Sequence, residues 1–201
     1  MRAEKMRRPN LFSIIFVVCL AVTLWVTFAM MNSGEEPAED LGEGFEELME
    51  NLLPPPPSAT APDGRRRVID VHTHLFDPVV WPHIDAVMAS QGLDYLVNLS
   101  GGSPRRGLTE SLLMSAMSEN RILNFMTVNW EGVDELSFGD LIAAELELCV
   151  TRFGYGGLKV SKALGVGVET ADGELLPVND PRLFPIWEKA GELGVPVFIH
   201  T

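Results

Sequence analysis

Residues 68 to 75 read V-I-D-V-H-T-H-L, a short apolar stretch that ends on two histidines one residue apart. Side chains alternate between two faces along an extended strand, so the spacing predicts that Asp70, His72 and His74 share one face. An antiparallel strand would alternate in the same way. Imidazoles at the carboxyl end of a strand are typical of parallel α/β barrels, because the chemistry of those barrels lies at that end.

Two histidines in this arrangement predict a metal site. Their backbones lie about 6.5 to 7 Å apart along a strand, which lets both rings reach one ion at roughly 2.0 to 2.1 Å. The alternative is a chance pair of surface histidines that bind water. A second apolar stretch, V-P-V-F-I-H-T at residues 195–201, favours the metal because it also ends near a histidine, His200. The remaining histidine, His83, lies where a helix begins and is expected at the surface.

Three segments carry a family resemblance: I-D-V-H-T-H-L-F, G-G-L-K-V-S-K-A-L-G and D-P-R-L-F-P-I-W-E-K-A-G-E-L-G-V-P-V-F-I-H-T. In sequence and order they resemble the amidohydrolase-related metal-dependent hydrolases (amidohydrolase family 2) over residues 67–201. The resemblance implies a distorted (β/α)8 TIM barrel in which His72, His74 and His200 bind one divalent metal. In that family an aspartate after strand 8 completes the metal site and a histidine after strand 6 assists. This sequence stops at strand 5, so the implied fold is a TIM-barrel-like α/β domain truncated after that strand.

Predicted strands and helices alternate from residue 68 onward, which indicates a parallel sheet with right-handed crossovers. The predicted strands are 68–72, 95–99, 122–129, 157–160 and 195–200. The predicted helices are 83–91, 109–119, 138–153 and 181–193. A glycine-rich nucleotide motif follows none of the strands, which disfavours a nucleotide-binding open sheet.

The length of this region predicts about half a barrel, because a complete (β/α)8 barrel needs typically about 250 residues. Such a sheet would leave unpaired backbone groups at its edges. We therefore expect either a fragment of a longer protein or a chain that a partner completes, for example in a homo-oligomer.

The segment before the barrel predicts a membrane anchor. Residues 11–31 carry no charge and are long enough to cross a bilayer, and they follow the basic segment 1–10. A cleaved signal peptide is the alternative, although its apolar core is usually shorter, about 7 to 15 residues. The positive-inside rule then predicts a single-pass protein with a cytoplasmic N-terminus and an extracytoplasmic barrel.

Residues 32–66 form the predicted linker, which is acidic and rich in proline and is expected to be extended and disordered. Nine of the acidic residues lie between positions 32 and 64, so the net charge of −13 does not describe the barrel. Arg65 to Arg67 are expected to pair with this acidic arm or to cap the bottom of the barrel. Basic charge is too sparse elsewhere to favour nucleic-acid binding.

Other side chains near the predicted strand ends are candidates for substrate contact. Arg105 or Arg106 would bind an anionic group, Trp130 would stack on a substrate, and Lys162 begins a long excursion over the site, residues 164–179, that is a candidate lid. The alternatives are solvent-facing arginines in an ordinary turn and a tryptophan that packs in the core.

Lys159 and Asp70 are candidates closer to the metal. If Leu158 and Val160 pack on helices, Lys159 points into the barrel, where an unpaired ammonium is costly. Binuclear relatives carboxylate this lysine to bridge two metals, but the sequence more closely resembles the mononuclear branch, so we assign Lys159 a catalytic role through contact with the substrate or the metal ligands. Asp70 would orient one of the ligating imidazoles, or form a salt bridge at the barrel floor.

The resemblance and the histidines together predict a hydrolase in which a metal-activated water attacks a C–N or C–O bond of a small molecule. Zinc suits the ligand set, and manganese and iron(II) are alternatives. A non-oxidative decarboxylase of the same family is the second hypothesis. The third is a membrane-tethered module that is catalytically incomplete, and whether this chain alone is active stays open.

Overall fold

The computed structural model describes residues 60–61 and 63–200. The predicted basic segment, the predicted membrane anchor and most of the predicted linker lie outside the described residues. Within the described part, no helix is both long enough and apolar enough to cross a membrane.

Five parallel strands form one curled sheet in the order β1-β2-β3-β4-β5. The strands are β1 Ile69–Thr73, β2 Tyr95–Asn98, β3 Ile122–Thr127, β4 Gly157–Val160 and β5 Val197–Ile199. The prediction of five parallel strands is confirmed, with some ends shifted by a few residues. Sequential order is the arrangement of a barrel wall, because right-handed crossovers between neighbouring strands place every helix on the same side.

Helices connect the strands at the predicted places. They are α1 Trp81–Gln91, α2 Leu108–Met117, α3 Phe138–Phe153, α4 Ala163–Val166 and α5 Phe184–Glu192, with 3-10 turns at Pro78–Val80 and Pro181–Leu183. The short α4 lay outside the predicted set, and its backbone departs from helical geometry at Leu164 and Gly165. α3 ends where Gly154 takes the left-handed conformation, with φ 66°, which glycine adopts at little cost.

The helices cover one face of the sheet. Ile142 and Leu146 of α3 belong to the same buried cluster as Met126 of β3 and Leu158 and Val160 of β4. This confirms that Leu158 and Val160 pack on the helix side. Cys149 belongs to this cluster as a buried thiol, and burial raises its pKa.

The opposite face has a separate small cluster made of strand residues. Val97, Leu99 and Phe125 are buried there, and the Phe198 ring meets Phe125 edge to face with ring centroids 5.6 Å apart. This face corresponds to the interior of the predicted barrel.

The amino-terminal end of the sheet is closed by Arg65. Its guanidinium donates to both oxygens of Asp94, each at 2.7 Å, and Asp94 also accepts from the backbone N–H of Val68 at 2.8 Å. The Arg65 hydrogen bonds hold the pKa of Asp94 well below its usual range. Arg65 also forms an ion pair with Asp63 of the predicted linker at 3.3 Å, so the structure shows both roles expected for Arg65.

Candidate metal centre

The imidazoles of His72 and His74 converge at the carboxyl end of β1. Their Nε2 atoms are 3.3 Å apart, and the ring centroids are 5.3 Å apart with the planes at 61°. Both residues are exposed. The pair therefore presents two nitrogen donors to one point.

The separation of these two nitrogens fits a shared metal ion. Two imidazole ligands at roughly 2.0 to 2.1 Å from a tetrahedral zinc are about 3.3 to 3.4 Å apart. The Nδ1 atom of His74 lies 2.7 Å from the hydroxyl oxygen of Ser100. A proton on Nδ1 that is donated to Ser100 leaves the Nε2 lone pair free, which is the tautomer a ligand needs.

A buried amide holds Ser100 and the end of β1 together. The Oδ1 atom of Asn98 accepts from the backbone N–H groups of Leu75 (2.9 Å) and Ser100 (3.0 Å). Its Nδ2 atom donates to the carbonyl of Leu75 (3.1 Å) and to Oδ1 of Asn124 (2.9 Å). Asn98 thus fixes both the residue that follows His74 and the residue that contacts the His74 ring.

The second amide of this network ties it to α2. The Nδ2 atom of Asn124 donates to the carbonyl of Ser111 at 3.0 Å and to the hydroxyl of Ser115 at 2.8 Å. Asn98 and Asn124 are 1% and 3% exposed. Sequence reasoning missed this network and Ser100. The available signal was two asparagines at equivalent positions of neighbouring strands, where apolar residues are expected.

Lys159 lies on the inner face, as predicted. It pairs in register with Thr127 and with Phe198, whose ring packs on that face, and it is 3% exposed. Its side chain has no hydrogen bond or ion pair to any other described residue. Desolvation lowers the pKa of Lys159, because burial disfavours the charged ammonium.

The surroundings of His74 are electropositive. Desolvation by the surrounding protein lowers the pKa of His74, and the charges of His72, Lys159 and His200 lower it further. His200 follows β5, and its backbone N–H donates to the carbonyl of Val160 at 3.0 Å. The four side chains therefore share one region.

The structure brings together two of the three predicted metal ligands. Among residues 60–61 and 63–200, no three histidine, cysteine or acidic side chains are close enough to hold one ion. His200 borders the same region without joining the His72 and His74 pair. His83 is exposed in the first turn of α1, as expected of a surface histidine.

Asp70 differs from its predicted position. It pairs in register with Leu96, which belongs to the helix-side core, and an irregularity in the ladder separates it from Thr73. Its carboxylate accepts from the backbone N–H of His72 at 3.0 Å and bonds to neither imidazole. Simple alternation therefore does not extend from Asp70 to the histidines.

The two arginines after β2 have different surroundings. Arg105 donates through Nε to the buried carboxylate of Glu145 on α3, at 2.5 Å. The charge of Arg105 is therefore paired within the protein. Arg106 lines a cavity next to Ser100 instead. The arginine available for a ligand is thus Arg106 rather than Arg105.

Trp130 is partly buried and packs against the helix-side core, with its ring stacked on Phe138 at a centroid distance of 6.0 Å. Its indole N–H is buried and has no hydrogen-bond partner among the described residues. Lys162 is exposed beside the predicted lid. That segment is anchored, because Leu164, Val168 and Leu176 are buried in the core.

No profile of a known protein family matches the sequence, and no curated protein matches it. Among solved structures, the chain is similar to 2,6-dihydroxybenzoate decarboxylase complexed with 2,6-dihydroxybenzoate. The sequence identity is 16% and the TM-score is 0.48. The match covers 68% of this chain and 51% of the decarboxylase chain, so this chain spans about half the length of that structure.

Proposed function

We propose that the chain is part of a metal-dependent hydrolase of the amidohydrolase type, with His72 and His74 as metal ligands. The observation that supports this most strongly is the Nε2 to Nε2 separation of 3.3 Å at the carboxyl end of a parallel strand. Three imidazoles would suit zinc, with manganese or iron(II) as alternatives, and His200 is the proposed third ligand.

The residues around the pair have distinct parts in this proposal. In this proposal the Ser100 hydroxyl accepts a hydrogen bond from Nδ1–H of His74, which leaves Nε2 without a proton and free to bind. When bound, a divalent ion supplies Lewis acidity, which makes water a nucleophile near neutral pH and polarises a carbonyl. Lys159 would bind an anionic group of the substrate, because its ammonium is buried and has no partner among the described residues.

Decarboxylation is the second candidate, and the charge of the site favours it. The buried ammonium of Lys159, which has no hydrogen bond or ion pair to any other described residue, can pair with a carboxylate. A carboxylate held at Lys159 would lie beside the metal ligands. Carbon dioxide release from carboxylates, including 2,6-dihydroxybenzoate, separates this activity from hydrolysis.

Zinc-dependent turnover tests the proposal. The full chain is stripped with a chelator, dialysed against zinc, and assayed for hydrolysis of 4-nitrophenyl acetate and for carbon dioxide release. We expect zinc-dependent turnover that is lost in H72A and H74A and kept in H83A, the matched exposed histidine. Zinc-dependent turnover that persists in H72A and H74A would contradict the proposal.

The membrane anchor at residues 11–31 and the extracytoplasmic location of the barrel remain proposals that rest on the sequence. A reporter fused after Gly64 tests them. A reporter active only outside the cytoplasm is expected, and one active in the cytoplasm would overturn the predicted orientation.

A further inference from the structure

A cavity of about 260 Å³ lies beside the histidine pair, between the carboxyl ends of β1 and β2 and helix α2. Ser100 and Phe76 line it. Both also contact His74, since Ser100 is hydrogen-bonded to Nδ1 and the Phe76 ring is stacked on the imidazole at a centroid distance of 6.4 Å. A molecule in the cavity would therefore touch two of the side chains that hold His74.

Two side chains of opposite charge line the cavity, Arg106 and Glu110. Neither forms an ion pair with the other or with any other described residue. Arg105, by contrast, is committed to Glu145. A guanidinium and a carboxylate that share a cavity without pairing can each pair with a ligand.

The loop that carries Arg106 is held in place. The carbonyl of Gly101 accepts from the hydroxyl groups of Ser111 (2.6 Å) and Tyr155 (2.7 Å), both from buried side chains. The backbone of Arg106 exchanges two hydrogen bonds with Ser103, at 2.7 and 2.9 Å. Binding at Arg106 would therefore order mainly its side chain and not the loop, which lowers the entropic cost of binding.

The rest of the lining is apolar where it is not already hydrogen-bonded. Leu75 and Met114 are 8% and 1% exposed and face the cavity with Phe76. The amide of Asn98 also lines the cavity but is occupied by its own network. The cavity thus offers one cation, one anion and an apolar wall.

We propose that this cavity binds a small amphoteric molecule. Its carboxylate pairs with Arg106, an N–H or O–H donor faces Glu110, and a short aliphatic body packs on Leu75 and Met114. The proposal does not depend on a metal at the histidine pair, so its test is made without metal.

Three probes with the same branched aliphatic group test the contacts of Arg106 and Glu110 separately. They are leucine, 4-methylpentanoate, which lacks the ammonium, and 3-methylbutylamine, which lacks the carboxylate. Calorimetric titration of the full chain is expected to show leucine binding. R106Q should weaken the binding of leucine and of 4-methylpentanoate at least about tenfold and leave the affinity for 3-methylbutylamine unchanged. E110Q should weaken leucine and 3-methylbutylamine, and R66Q, at an exposed arginine just before β1, should change none of them.

Amide chemical shifts of Ser100 and Gly107 on addition of leucine give a measurement that needs no variant, and we expect both to move. Wild-type protein that binds none of the probes, or R106Q that binds leucine as tightly as wild type, would overturn the site. E110Q that binds leucine as tightly as wild type would overturn the amphoteric class of ligand.

Discussion

Replacement of Asn98 by alanine should destabilise the fold strongly, because one side chain makes four hydrogen bonds, three of them buried and one partly buried. The variant leaves four groups without this partner: the N–H and the carbonyl of Leu75, the N–H of Ser100, and Oδ1 of Asn124. Each buried polar group left unpaired costs about 1 to 3 kcal/mol. Water that enters the vacated space recovers part of this, so we expect a loss of about 3 to 5 kcal/mol in the free energy of unfolding.

Urea unfolding followed by tryptophan fluorescence measures this loss, with the slope m as a check that the same transition is observed. Asn129→Ala is the matched control, because the exposed hydrogen bonds of the Asn129 side chain join it, among the described residues, to the nearby Glu131 alone. Its cost should stay below about 1 kcal/mol. If Asn98→Ala cost no more than Asn129→Ala, the hydrogen bonds of Asn98 would not be what holds Ser100 and the end of β1 together.

Three further substitutions test other contacts. Ser100→Ala should weaken zinc binding about 10- to 100-fold in competition with a chromophoric chelator, because His74 loses the partner that sets its tautomer; unchanged affinity would show that Ser100 does not orient the ring. Asp94→Asn should lower the melting temperature at neutral pH. In wild type the depressed pKa of Asp94 gives stability that is present above the unfolded pKa of about 3.9 and is lost as the pH falls. The variant lacks this carboxylate, so its melting temperature should fall less steeply between about pH 5 and pH 2. Equal slopes in the variant and wild type would contradict the role of the Arg65 pair. Lys159→Met should raise the free energy of unfolding by about 1 kcal/mol, because it removes a buried charge that has no partner among the described residues. Urea unfolding measures this change. A destabilised variant would show that the folded protein does provide the ammonium with a partner.

The order of strands and helices could be predicted from the sequence because each element has a local signal. α3 carries apolar residues at helical spacing and is followed by Gly154, and β4 places Lys159 between two apolar residues. Such signals depend on the chain near each residue, and they held for the strands and for the inward position of Lys159.

The details of the site could not be predicted, because they depend on contacts between distant parts of the chain. The choice between Arg105 and Arg106 depends on Glu145, which lies forty residues further along the chain. The position of Asp70 depends on a ladder irregularity that alternation does not reveal. In the sequence Ser100 resembles any loop serine, because only the folded chain places His74 beside it.

Cobalt(II) titration of the metal-free full chain tests most directly the claim that His72 and His74 form one metal-binding pair. Cobalt in place of zinc gives a visible absorption spectrum that reports its ligands. We predict a saturable spectrum in wild type and in the H83A control that is lost in H72A and in H74A. The same spectrum and affinity in all four proteins would contradict the claim.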